Sequence, residues 1–196
     1  MGRPARFSTD DLVKAATALA AEGGPASVTM AAVARAAGAP SGSLYHRFPE
    51  RPALLAAVWL HALETFQEGC RRKLSVLPAL EAAVGTTHHV VSWSRAHPDL
   101  ARVLLYRPGE FDSPRWSEVD RARMARANGE IGALLVRVAD GLREPGEETE
   151  HALERVRLAV IDLPLSLVRR HLLGGRDLPE EVVELATDSA RRLLVW

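Results

Sequence analysis

The chain contains 196 residues, of which 47% are hydrophobic and 26% charged, and its 25 basic and 25 acidic residues give a formal net charge of zero. This is the composition of a globular protein, so a disordered chain is excluded, and the net charge alone does not indicate a nucleic-acid binder. The longest stretch without Asp, Glu, Lys or Arg is residues 82–94, shorter than the roughly 20 residues of a membrane-spanning helix.

These features, with a single cysteine (Cys70) that has no internal disulfide partner, predict a cytoplasmic protein without a membrane partner. Apolar residues recur at intervals of three and four, and no long run alternates with period two, so we expect an all-α fold. Glycines and prolines divide the chain into about nine helices. The predicted helices are short before residue 52 and longer after it, which predicts two domains, residues 1–51 and 52–196.

The first domain is predicted to hold three short helices. Helix 1 starts near Ser8, which with Asp11 forms a capping-box pattern. Helix 2 starts at Thr29, a good N-cap, and is followed by Gly38, which can adopt a left-handed turn without steric cost. Helix 3 covers residues 41–48. Two short helices joined at a glycine turn predict a helix-turn-helix.

The second domain is predicted to hold longer helices with most of the apolar mass. The helices are expected at about residues 52–73, 79–96, 98–106, 115–140, 148–173 and 179–194. Pro164 lies inside the fifth of these segments and should kink it, because proline lacks the backbone N–H.

The motif around helices 2 and 3 is specific. Residues 29–34 read TMAAVA, residues 37–49 read AGAPSGSLYHRFP, and Leu54-Leu55 follow. Over about residues 8–60, this pattern resembles the DNA-binding domain of TetR-family transcriptional regulators. The resemblance implies a helix-turn-helix DNA-binding domain in residues 1–51 and a helical effector-binding and dimerisation domain in residues 52–196.

The function implied is that of a homodimeric, ligand-responsive repressor that binds palindromic operator DNA and is released by a small-molecule effector. No cofactor, metal or catalytic role is expected, because the sequence contains no glycine-rich phosphate loop, nucleophile elbow or His-Glu-x-x-His motif. Two alternatives stay open, a helical enzyme that binds a small molecule and a protein-interaction module that does not bind DNA.

The predicted DNA contacts combine short polar side chains for base edges with cations for phosphates. Ser43 and His46 suit base edges, and an N-terminal arm suits the minor groove. The full predicted set is Thr29, Ser41, Gly42, Ser43, Tyr45, His46, Arg47, Arg51, Arg3 and Arg6. The pattern departs from the family at Ser41, often basic, and at Glu50-Arg51, often Ser-Lys. We therefore expect weaker electrostatic attraction to DNA than in family members that carry the basic residues.

The effector pocket implied by the resemblance has aromatic and polar candidates, although aromatic residues at helical spacing more often belong to a core. They are Phe66, His89, Trp93, Tyr106, Trp116, Met124, Asn128 and Asp162. The last two helices carry apolar stripes suited to a four-helix dimer bundle or to an intrachain core. The stripes are Leu153, Val156, Val160, Leu163, Leu167, His171, Val182, Leu185, Ser189 and Leu193.

Overall fold

The structure is a computed structural model that describes residues 8–195, which form helices and loops without any strand. The α-helices are α1 (Thr9–Gly23), α2 (Met30–Ala36), α3 (Ser41–Arg47), α4 (Arg51–Leu74), α5 (Ala79–Ala96), α6 (Pro98–Leu104), α7 (Glu118–Gly141), α8 (Thr149–Arg157), α9 (Leu163–Leu172) and α10 (Glu180–Leu194). A π-helical turn, Leu158–Asp162, makes α8 and α9 one continuous helix. Within residues 8–195 there are thus nine helical rods, which confirms the predicted all-α fold.

The chain divides into two compact units. The first contains the described residues up to Leu63 together with Asp99–Met124, and the second contains Glu64–Pro98 and the described residues from Ala125 onward. Both α4 and α7 contribute residues to each unit. The predicted division into a DNA-binding domain of residues 1–51 and an effector-binding and dimerisation domain of residues 52–196 stays a prediction.

Helix α1 begins with the predicted capping box. The backbone N–H of Asp11 donates to Ser8 Oγ across 3.1 Å, and the Ser8 N–H donates back to the Asp11 carboxylate across 2.8 Å. Hydrogen bonds from Ser8 lower the pKa of the Asp11 carboxyl group because they stabilise its charged form. The first helix therefore begins where the sequence predicts.

The predicted helix-turn-helix is present in the first unit. Thr29 caps α2 by accepting the N–H of Ala32 across 3.1 Å, and Gly38 makes the turn with a φ of 64°. Helix α2 packs against both α1 and α3. Helix α3 ends one residue before its expected end, because Phe48 has extended backbone angles and serves as the C-cap.

The second unit has a core of small and branched apolar residues. Helix α5 packs against α10, α9 and the π turn. The core includes Ala82, Ala83, Leu135, Val156, Val160 and Ala190. The expected distortion at Pro164 takes the form of the π turn directly before it, in which the Leu163 N–H donates to Leu158 O, five residues back.

Candidate nucleic-acid interface and ligand cavity

One side of α3 is buried and the other is exposed. Leu44 and Phe48 point into the interior, whereas the side chain of Tyr45 is 53% exposed. His46 is exposed and Ser43 is half-buried. The other predicted contacts near this helix, Thr29, Ser41 and Gly42, are exposed as well. The arrangement is that of a recognition helix, with an apolar side fixed on a scaffold and short polar side chains facing outward.

Two arginines, one at the end of α3 and one at the start of α4, donate hydrogen bonds to backbone oxygens of the first unit. Arg51 donates through Nε to Val28 O across 2.7 Å and through Nη2 to Pro25 O across 2.6 Å. Arg47 donates through Nη1 to Ser43 O across 3.1 Å. A guanidinium group has five N–H donors, so the two bonds of Arg51 leave it donors for a phosphate group. A contact between Arg51 and DNA stays a prediction.

Glu50, an acidic residue where the family often has serine, lies near a basic side chain. The Glu50 carboxylate lies 3.7 Å from the guanidinium of Arg115. Both side chains are largely exposed, so the pair contributes little to folding stability. Arg115 nevertheless offsets the negative charge that Glu50 places next to the predicted DNA surface.

Inside the second unit lies a cavity of about 300 Å³, lined from α4, α5, α7, α9 and the π turn. The residues of its wall are Phe66, Gln67, Cys70, Leu74, Thr86, Val90, Asn128, Ile131, Leu135, Val160, Ile161 and Leu165. None of these lining residues carries an ionised side chain at neutral pH. Burial raises the pKa of the Cys70 thiol to about 12, so this thiol stays protonated and is a poor nucleophile.

Residues 12–58, from the first turn of α1 into α4, match the family model for bacterial regulatory proteins of the tetR family. The match covers the whole helix-turn-helix, including the exposed side of α3. These residues form a DNA-binding domain of the tetR family. In such a domain the helix-turn-helix is the part that binds DNA.

Solved structures share the fold of this chain along nearly its whole length. FadR from Bacillus subtilis, solved with stearoyl-CoA, is 15% identical with a TM-score of 0.72 and covers 96% of this chain and 98% of its own. KstR2 of Mycobacterium tuberculosis, a ketosteroid transcriptional regulator, is 20% identical with a TM-score of 0.71 and covers 98% of this chain and 95% of its own. PfmR from Thermus thermophilus is 19% identical with a TM-score of 0.70 and covers 97% of this chain and 97% of its own. No curated protein matches the sequence.

The residues predicted for the effector pocket fall into separate places. Phe66 and Asn128 line the cavity of the second unit. His89 and Trp93 lie beside Phe66, with ring centroids 5.7 Å and 5.1 Å from it. Asp162 is exposed and lies in another depression, near Glu154 and Arg155.

Three further pocket candidates belong to the first unit. Trp116 is buried and donates through Nε1 to Phe111 O across 2.8 Å. Tyr106 packs its ring edge against Phe111, with centroids 6.0 Å apart. Met124 is half-buried. These contacts hold the first unit together, and a ligand role for these three residues stays untested.

The residues predicted for the dimer interface divide by burial. Val156, Val160 and Val182 are buried within the chain, so their side chains are used in intrachain packing. Leu185 is 55% exposed. The half-buried members are Leu153, Leu163, Leu167, His171, Ser189 and Leu193. The same helical region also exposes apolar residues outside the predicted set, Leu158, Leu165, Leu173 and Val195.

Sequence reasoning missed Gln67, the most distinctive residue of the cavity. Its side chain is 6% exposed and occupies a position on α4 that apolar residues share, since Leu63, Cys70 and Leu74 lie four, three and seven residues away and are all buried. A polar residue inside an apolar stripe was the available signal, because burying an amide is costly without partners.

Proposed function

We propose that this regulator is a homodimeric repressor that binds palindromic operator DNA and is released by a small-molecule effector. The observation that carries the proposal is the exposed side of α3, where Tyr45 and His46 project from a helix whose opposite side, at Leu44 and Phe48, is buried. Rigid presentation of polar and aromatic side chains is what reading base edges in a major groove requires. A cytoplasmic location follows from the proposal.

Individual DNA contacts follow from the exposure of each residue. Ser43, His46 and Tyr45 are proposed to face the bases, and Gly42 allows close approach of the backbone. The proposed backbone contacts are Thr29, Ser41, Arg47 and Arg51, all exposed or half-buried. Arg3 and Arg6, proposed for the minor groove, lie outside the described residues.

A second copy of the chain is the proposed partner, because one helix-turn-helix buries too little surface for useful specificity. The exposed apolar residues at the C-terminal end of the chain support this proposal. Leu158 and Leu165 lie in the rod formed by α8, the π turn and α9, Leu173 follows directly after it, and Leu185 lies in α10. Two recognition helices would then need a separation of about 34–36 Å to enter successive major grooves.

The effector site is proposed to be the cavity of the second unit, whose volume of about 300 Å³ lies at the lower end of typical ligand pockets. Helix α4 is the proposed link to DNA binding, because it carries Arg51 at its start and Phe66, Gln67 and Cys70 further along. An effector that favours the state unable to bind DNA by about 10⁴-fold shifts a 99:1 population to 1:99.

A gel-shift experiment with the DNA that flanks the protein's own gene tests this function. We expect a specific complex of two chains per site that resists random competitor DNA at low salt. The double variant Tyr45→Ala/His46→Ala should remain folded, since both side chains are exposed, and should lose the specific complex. If the wild type shows no preference for any such fragment over random DNA, the proposal is wrong.

A further inference from the structure

The wall of the cavity in the second unit is almost entirely apolar. Leucine, isoleucine, valine and phenylalanine side chains provide most of it, and none of the lining residues is charged at neutral pH. The Thr86 hydroxyl donates its proton to Ala82 O across 2.7 Å. An ionised ligand would have to leave water for a wall without a compensating charge, which is unfavourable. The cavity therefore selects an uncharged molecule.

The wall also contains the polar residues Gln67, Thr86 and Asn128, and among the described residues of this wall Gln67 alone has a buried side-chain acceptor without a hydrogen-bond partner. Its Nε2 donates to Asn128 Oδ1 across 2.9 Å, which sets the orientation of the amide and leaves Oε1 as its other polar atom. Oε1 is buried and accepts no hydrogen bond within the part of the chain that the structure describes. A buried acceptor without a donor is unfavourable, so a molecule that brings a donor to this wall binds more tightly than one that has none.

The volume limits the size of the occupant. A cavity of about 150 Å³ holds benzene, so a cavity of about 300 Å³ suits roughly a dozen non-hydrogen atoms. We propose that the effector is an uncharged, largely apolar molecule of this size whose one hydroxyl group donates a hydrogen bond to Gln67 Oε1. This inference rests on the proposed function, because it names the ligand class of the proposed effector site.

Matched ligands test the hydroxyl requirement by isothermal titration calorimetry on the full chain. The probes are 1-decanol and 4-hexylphenol, the methyl ether of each, and decanoate. The ethers keep the apolar body and the oxygen but have no donor. We expect at least one alcohol to bind about tenfold more tightly than its ether, the value of one hydrogen bond to a buried acceptor, and decanoate to bind more weakly than 1-decanol.

Two variants test whether the preference for alcohol over ether depends on Gln67. Gln67→Leu replaces the amide by an apolar side chain of similar volume, and we expect it to bind alcohol and ether equally while remaining at least as stable as the wild type. Cys70→Ala, in the same wall one helical turn away, changes the volume but not the polarity. It should therefore keep the preference for alcohol even if both affinities change.

The inference is overturned if neither alcohol binds, if the ethers bind as tightly as the alcohols, if decanoate binds more tightly, or if Gln67→Leu keeps the preference. These ligand measurements need no DNA, so their failure is distinguishable from a failure of the proposed function. A protein that binds its operator and ignores both alcohols contradicts only the ligand class. A protein that binds an alcohol but no operator contradicts the repressor.

Discussion

The hydroxyl group of Thr87 on α5 lies 3.2 Å from the carbonyl oxygen of Ala159 in the π turn and 3.2 Å from that of Ala83 in its own helix, so its one proton is shared between these two acceptors. In a regular helix this carbonyl would accept the N–H of Leu163, but that N–H donates to Leu158 O. The next residue, Pro164, has no N–H to offer. Thr87 therefore offers a donor to a backbone acceptor that the combination of π turn and proline leaves without its usual partner.

Replacing Thr87 with valine should destabilise the protein. Thr87 is fully buried, and valine keeps its shape but removes the donor, so Ala159 O is left unsatisfied at a cost of about 1–3 kcal/mol in the free energy of unfolding. Urea denaturation measures this change. Thr87→Ser keeps the hydroxyl and is the control. If valine is tolerated better than serine, packing rather than the hydrogen bond determines stability at this position.

Gly42 offers a variant in which stability and DNA binding should change in opposite directions. It lies in the exposed first turn of α3, and a Cβ atom added there has no neighbour within 4 Å. Gly42→Ala should raise the free energy of unfolding by about 0.5–1 kcal/mol, because alanine has less backbone entropy to lose in a helix. If the backbone approaches DNA closely here, the same variant binds its operator more weakly.

Thermal unfolding and gel shifts of Gly42→Ala measure the two effects on the same preparation. Ala39→Gly is a control in the preceding turn, outside α3, and should leave the approach of α3 to DNA unchanged. A Gly42→Ala variant that is more stable and binds operator as tightly as the wild type contradicts the proposed close approach.

Local signals allowed the sequence to predict much of the first unit. The hydroxyl groups of Ser8 and Thr29 cap the helices that follow them, because capping depends only on residues three or four positions apart. Tyr45, which the sequence analysis assigns to the DNA surface, is exposed, whereas Leu44 and Phe48 are buried, since the buried side of such a short helix is set by its own spacing.

Contacts between distant parts of the chain could not be predicted in the same way. Val156 and Leu185 both stand at helical spacing in apolar stripes, yet the first is buried and the second is exposed. Periodicity shows that a side of a helix is covered, but not whether its own chain or a partner covers it. Gln67 was missed because its bond to Asn128 joins residues 61 positions apart.

Arg51 should affect both stability and DNA affinity. Arg51→Ala removes the hydrogen bonds to Pro25 O and Val28 O, so we expect a lower thermal midpoint than for the wild type. If Arg51 also contacts phosphate, the slope of log affinity against log salt falls by about one unit and every DNA sequence is bound more weakly. An unchanged salt slope in a destabilised variant would assign Arg51 to the fold alone.

Unlike Arg51→Ala, the variant His46→Ala should change DNA binding without changing stability, because His46 is exposed on α3. We expect an unchanged thermal midpoint and a reduced ratio of operator to random-DNA affinity, since a contact to a base edge contributes about 1–3 kcal/mol of discrimination. Competition gel shifts with the two DNA types measure this ratio. Equal weakening on both DNA types would indicate that His46 contacts the backbone instead.

His89 should make the stability of the protein depend on pH. Burial lowers its pKa from the usual 6.5, and this effect exceeds the opposite effect of the hydrogen bond from Nε2 to Phe66 O, which spans 3.0 Å. Above pH 6.5 the imidazole is neutral in both the folded and the unfolded chain. As the pH falls below 6.5, the unfolded chain takes up a proton that the folded chain resists, so the free energy of unfolding decreases.

Urea denaturation at pH 7.5 and pH 5.5 measures this decrease. His89→Gln supplies an amide N–H but no titrating group, so it should lose less stability on acidification than the wild type does. His88→Gln, at the exposed neighbouring position, keeps His89 and should behave as the wild type. If His89→Gln loses as much stability between the two pH values as the wild type, the acid sensitivity arises from other groups.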